Sequence, residues 1–203
     1  QAKAFDDFLR ARAPDAKLDS VPMMRGRIVR VKNQRAEDVK ARENVAWALE
    51  GDRGVTFSAK VPEGSRIAQG EWWSADYKGP PLVSMEAEVA DGLGLRIGDT
   101  IAVNVLGRTI EARLANLRSV NWRSFGINFV LVFSPNTFAG APHTSLATVT
   151  FPGAADTPRE LTLLADAARE FPAVTSVRVR DALDALNAVV AQLAVAVRGA
   201  SSV

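Results

Sequence analysis

The sequence predicts a mixed α/β fold of the α+β kind, and three observations carry the prediction. The chain starts on apolar residues at helical spacing, its middle holds period-two alternation and a hairpin signature, and its last third reads helix, strand, helix. With 203 residues, 47% hydrophobic and 24% charged, it has enough apolar side chains to bury a core and lies outside the range of disordered chains.

Ala4, Phe5, Phe8, Leu9 and Ala11 to Ala13 recur at helical spacing until Pro14 and Asp15 end the pattern, which predicts a short amphipathic helix. Val21 to Val31 sets Met23, Ile28, Val29 and Val31 among Arg25, Arg27 and Arg30, a strand with a bulge expected at Gly26. Residues 33–53 are charged and mixed, a loop or short helix, and from Val55 to Val61 apolar residues alternate with polar ones. Pro62 to Ser65 form a turn before an extended stretch from Ile67 to Trp73. Adjacent strand residues face opposite ways, so Trp72 and Trp73 are expected to divide between the core and a second surface. Ser84 is the expected N-cap of a helix reaching Leu93, with Glu86 and Glu88 in its first turn and Gly94 as its C-terminal cap.

Thr100 to Val105 and Thr109 to Leu114 flank Leu106, Gly107 and Arg108 as a β-hairpin, and Leu117 to Val120 extends its second strand. Ile127 to Phe133, INFVLVF, is almost wholly apolar, as a central strand covered on both faces requires. A loop from Pro135 to Pro142 leads to a strand at Ser145 to Phe151. A helix from Pro158 through Arg169, a strand at Val174 to Val179 and a long helix from Asp181 complete the order. The uncharged run at residues 185–197 is shorter than the roughly 20 residues of a membrane-crossing helix.

Composition removes several function classes. The 25 Lys plus Arg against 23 Asp plus Glu leave a net charge of +2, without the clustered cations that nucleic-acid binding uses, so no nucleic-acid partner is expected. The absence of cysteine removes disulfides, thiolate zinc sites and cysteine nucleophiles. His143 is the single histidine; a hydrolase reading has to combine it with Ser145 and Asp156, and Ser145 lies on no strand-to-helix elbow, which leaves a solvated loop histidine as the simpler reading. Gly92, Gly94 and Gly98 follow a helix and precede a strand, the reverse of the order a dinucleotide loop needs, and a helix cap with a tight turn explains them. The carboxylate pairs Asp6 with Asp7 and Glu86 with Glu88 fall on predicted helix surfaces. No catalytic residue, metal site or cofactor site is expected, and no enzymatic activity.

The most distinctive stretch runs from Leu117 to Phe129, where Asn121, Ser124 and Asn128 interleave with Trp122, Phe125 and Phe129. It reads either as a corner pinned by side-chain-to-backbone bonds and aromatic packing, or as an exposed aromatic patch that takes a ligand. Trp72, Trp73, Trp122 and Phe125 are therefore the candidate partner-facing or cargo-facing residues.

Four stretches together resemble a known family. They are VPMMRGRIVRV at Val21 to Val31, the run of Pro62, Glu63, Gly64, Arg66, Ile67 and Gly70 into Trp72 and Trp73, SMEAEVADGLGLRIGDT at Ser84 to Thr100, and LRSVNWRSFGINFVLVF at Leu117 to Phe133. In this order they resemble the extracytoplasmic domain of FtsX-like, MacB-type permeases of ABC transporters, most of all the YbbP-like branch. The resemblance implies a loop between transmembrane helices 1 and 2, projecting into the periplasm from the bacterial inner membrane and joined to it by flanking helices outside this chain. It implies two lobes, a Porter-like α/β lobe from residues 1–40 and 157–203 and a β-rich Sabre-like insertion at residues 41–156. The family's first strand would precede Gln1, which leaves the front lobe one element short. The helix from Asp181, with Leu183, Leu186, Val190, Leu193 and Val197 on one face, would act as a lever.

The implied role is mechanical and non-catalytic. ATP and Mg belong to a cytoplasmic ABC ATPase subunit, whose hydrolysis cycle is transmitted to a periplasmic cargo or partner protein, a hydrophobic or lipid-related cargo among those expected. A stand-alone secreted binding protein with the same fold is the alternative.

Overall fold

The period-two segments of this chain close into a barrel. The structure, a computed structural model, describes residues 2–122, 126–154 and 156–184. In chain order the elements are α1 (Ala2–Arg12), β1 (Lys17–Val31), β2 (Gln34–Arg35), β3 (Arg53–Phe57), β4 (Ser65–Gly70), β5 (Leu82–Glu86), α2 (Ala87–Gly92), β6 (Thr100–Val105), β7 (Arg108–Val120), β8 (Leu131–Phe133), β9 (Thr144–Thr150) and α3 (Thr157–Glu170). Short 3₁₀ segments lie at Ala36–Asp38, Glu43–Leu49 and Pro135–Phe138. The chain divides into two compact units, residues 19–148 and residues 1–18 with 149–203.

Among the described residues, six strands make the ring. β1 pairs antiparallel with β3, β3 parallel with β8, β8 antiparallel with β5, β5 parallel with β7, β7 antiparallel with β6, and β6 antiparallel with β1 again. β2 and β9 pair with β1 outside this ring, and β4 pairs with β7. Closure removes the open edges that a flat sheet would leave unpaired. Met24, Ile28, Val55, Val83, Met85, Ile101, Val103, Leu114, Leu131 and Phe133 fill one buried cluster, joined by Val89, Ala90 and Leu93 of α2 and the turn after it. Gly26 lies among these side chains. A Cβ there would meet Val105 at 3.0 Å and Val103 and Val55 at 3.2 Å, so the missing side chain is what lets the walls converge.

The Porter-like α/β lobe with a Sabre-like insertion is overturned. The molecule is a strand-rich mixed sheet with a closed six-stranded barrel, and the strand at the front of the chain is one of its walls. Periodicity in β1 shows which of its faces is apolar, but its two neighbours in the ring, β3 and β6, are not adjacent to it in sequence, and no local pattern names them.

Several elements also differ locally. The helix expected from Ser84 begins at Ala87; Ser84 is fully buried in β5, and the Glu86 side chain is the cap, accepting from the Val89 N–H at 2.9 Å. The helix ends as expected at Gly94, with φ +67°, where the Leu95 N–H reaches the Ala90 carbonyl and the Gly94 N–H that of Asp91. INFVLVF forms ladder only at β8, which lies between β3 and β5. The irregularity in β1 falls between Ile28 and Arg30 rather than at Gly26. No strand forms at Val174 to Val179: Val177 and Val179 are exposed, and residues 179–184 are helical. The rest of the expected lever, Leu186 to Val197, lies outside the described residues.

In the unit formed by the chain ends, α1 and α3 are joined through aromatics and ion pairs. Phe5 and Phe8 meet Phe171 with ring centroids 5.1 and 5.2 Å apart, and Arg12 bonds Asp166 and Glu170 at 2.5 and 3.0 Å. Arg159 pairs with Asp15 and lies over the Phe151 ring, while Arg178 bonds Glu160 at 2.9 Å.

Candidate binding cleft

Side chains alternate along a strand, so the residues between those of the barrel interior point outward. Leu82 and Val132 do so, and with Ile127, Phe129 and Trp73 they form a second buried cluster, against which Val21, Met23, Trp72 and Tyr77 pack. Trp72 and Trp73 do not divide between two surfaces. Both lie past the end of β4, where Gly70 takes φ +77° and the pleat ends, and their rings stack on each other with centroids 4.2 Å apart. Trp72 Nε1 donates to the Ala59 carbonyl at 3.1 Å and Trp73 Nε1 to that of Ser58 at 2.8 Å. The pair thus clamps the segment that follows β3. Trp122 is 52% exposed, just beyond β7, and Phe125 lies outside the described residues.

Beneath this outer cluster runs a polar network that the sequence did not single out. Arg118 of β7 is fully buried; its Nε donates to Ser84 Oγ at 2.7 Å, one terminal nitrogen to Ser65 Oγ at 3.0 Å, and the other to the Phe129 and Val130 carbonyls at 2.9 and 3.1 Å. The Ser84 hydroxyl donates onward to Asn116 Oδ1, and Asn116 Nδ2 to the Glu71 carbonyl at 3.1 Å. Burial pushes the Arg118 guanidinium down to about 10, opposed by the charge of Glu86. It remains protonated at neutral pH and ties β5, β7, β4 and the 129–130 segment together. The signal in the sequence is a polar residue where an apolar one would fit the strand pattern: Ser84 in LVSME, Asn116 and Arg118 in LANLRS.

The clamped segment forms one wall of a cleft of about 250 Å³. Phe57, Val61 and Pro62 face Val21 and Pro22 of β1 there, with Ile127 and Phe129 also in its lining. Asp19, Ser20, Thr56, Ser58 and Glu63 supply its polar groups. Sequence reading missed these residues because each is unremarkable alone, and it is the antiparallel pairing of β1 with β3, Met24 opposite Val55, that brings residues 19–22 to residues 56–63.

Two of the three residues of the hydrolase reading have partners of their own. His143 Nδ1 lies 3.0 Å from the Ala141 carbonyl with its ring edge-on to Phe57, and the Asp156 carboxylate caps α3 by accepting from the Arg159 N–H at 3.1 Å. Gly92 and Gly94 belong to α2 and its cap, and Gly98, with φ +94°, donates its N–H to the Leu114 carbonyl. Among the described residues no three His, Cys, Asp or Glu side chains gather as a metal site, and no helix is long and apolar enough to cross a membrane.

No protein-family model matches the chain. A stretch of 128 residues, 62% of the chain, is 27% identical to the uncharacterized ABC transporter permease YbbP of Escherichia coli K12 and spans 14% of that protein's length. What this chain is similar to is therefore a transporter component, matched at a distance and over a small part of its length.

Proposed function

We propose that the chain is an extramembrane, non-catalytic domain of an ABC-transporter permease, placed on the periplasmic side, that relays the movement driven by a partner ATPase to a cargo or partner. The similarity to a permease over 128 residues carries this reading. The architecture suits it physically. A closed hydrogen-bonded ring around a close-packed interior resists deformation, so displacement at one end is passed on and not absorbed. Exposed Trp122 is the candidate aromatic for contact with a partner, and Trp72 and Trp73 shape the cleft wall from behind.

The chain's lack of cysteine makes the test direct. In the full-length protein, with any cysteines elsewhere replaced, Leu106→Cys puts one thiol on an exposed hairpin turn. Labelling by a membrane-impermeant maleimide in intact spheroplasts, with the protein in the membrane fraction and an ABC ATPase co-purifying, is the expected result. Labelling only after lysis would overturn the periplasmic placement, and recovery wholly in the soluble fraction would favour a free binding module.

A further inference from the structure

We propose that the cleft between residues 19–22 and 56–63 binds a peptide segment carrying an apolar side chain next to a lysine or arginine. Its size points to part of a larger partner. At about 250 Å³ it lies below the roughly 300 to 1,000 Å³ of sites that enclose whole small-molecule ligands, and suits one or two side chains. Val21, Pro22, Phe57, Val61, Pro62, Ile127 and Phe129 give it apolar walls.

Its polar groups call for donors from the ligand. Thr56 Oγ1 already donates to the Pro22 carbonyl at 2.5 Å, and Ser58 Oγ donates to the Lys60 carbonyl at 2.6 Å and accepts the Lys60 N–H at 3.2 Å, so neither hydroxyl has a proton left for a ligand. Pro22 and Pro62 have no N–H to offer. No Lys or Arg lines the cleft. Asp19 is half-buried at its side, and among the described residues its carboxylate makes no hydrogen bond or ion pair. Glu63 has a contact of its own, so Asp19 is the group that selects the cation. An anionic segment would meet the carboxylates of Asp19 and Glu63, and a purely apolar one would leave Asp19 desolvated without a counter-charge. The inference rests on this geometry and stands whether or not the chain proves to be part of a transporter.

The test uses the purified chain and fluorescence anisotropy with labelled hexapeptides. One carries leucine followed by lysine in a glycine and serine background; the second replaces lysine by glutamate and the third replaces leucine by serine. The leucine–lysine peptide should bind at least about fivefold more tightly than either control at low salt. Its preference over the glutamate peptide should disappear when salt is raised from about 20 mM to about 500 mM, a reading that needs no variant. Asp19→Asn, checked for folding by circular dichroism, should abolish the lysine preference and keep that for leucine, and Val61→Asp should weaken the leucine-containing peptides. Equal binding of the lysine and glutamate peptides overturns the proposal. So does binding of dodecyl maltoside with none of the peptides, which would assign the cleft to a lipid-like ligand.

Discussion

Arg118 has a fully buried side chain whose hydrogen bonds go to two serine hydroxyls and two backbone carbonyls. Arg118→Met removes these donors and leaves their acceptors dry, so a loss of about 3 kcal/mol of stability is expected in chemical denaturation. Arg118→Lys keeps the charge but not the planar fork, and should cost about 2 kcal/mol. Burial lowers the folded-state value to about 10, so above that pH the unfolded chain holds more protons than the folded one and stability rises with pH; below it both states are charged. The Tm difference between wild type and Arg118→Met should therefore stay constant from about pH 6 to about pH 9. Asp15 behaves in the opposite sense. Its bond to Arg159 holds the carboxyl below the usual range, so its contribution is present above the unfolded carboxyl's titration and fades as pH falls through the folded one. Arg159→Gln should move the Asp15 titration upward by NMR and change Tm little, because both side chains are solvent-exposed.

At the scale of elements, the β6–β7 turn tests local chemistry apart from packing. Leu106 and Gly107 both have positive φ, 52° and 80°, as a two-residue hairpin loop demands, yet Leu106 is a γ-branched side chain that is 56% exposed. Leu106→Asn should stabilise by about 1 kcal/mol in thermal or chemical unfolding, since asparagine tolerates the left-handed region better. Gly26→Ala should do the reverse and cost about 1 to 3 kcal/mol, because its methyl would press on three buried valines with little freedom to turn. The hairpin, the C-terminal end of α2, the span of α3 and the buried position of β8 rest on local signals that the sequence displays openly. The strand expected at Val174 to Val179 shows the opposite case, for apolar alternation alone forms no strand where the described structure provides no partner edge.

For the whole molecule, residues 19–148 contain the hydrogen-bonded ring and both buried clusters, so this segment expressed alone should unfold cooperatively and give dispersed amide resonances. A non-cooperative melt would mean that the segments at the chain ends are required for the barrel to fold. Composition and periodicity determined the helices α1 and α3, the β6–β7 hairpin and the glycine cap after α2, since these depend on residues close together in the chain. The tertiary structure decided the rest. Closure of the ring, the stacking of Trp72 on Trp73, the burial of Arg118 and the meeting of residues 19–22 with 56–63 all depend on which distant strands pair, and the energy that selects those pairs comes from packing the whole interior at once and is written in no single stretch of sequence.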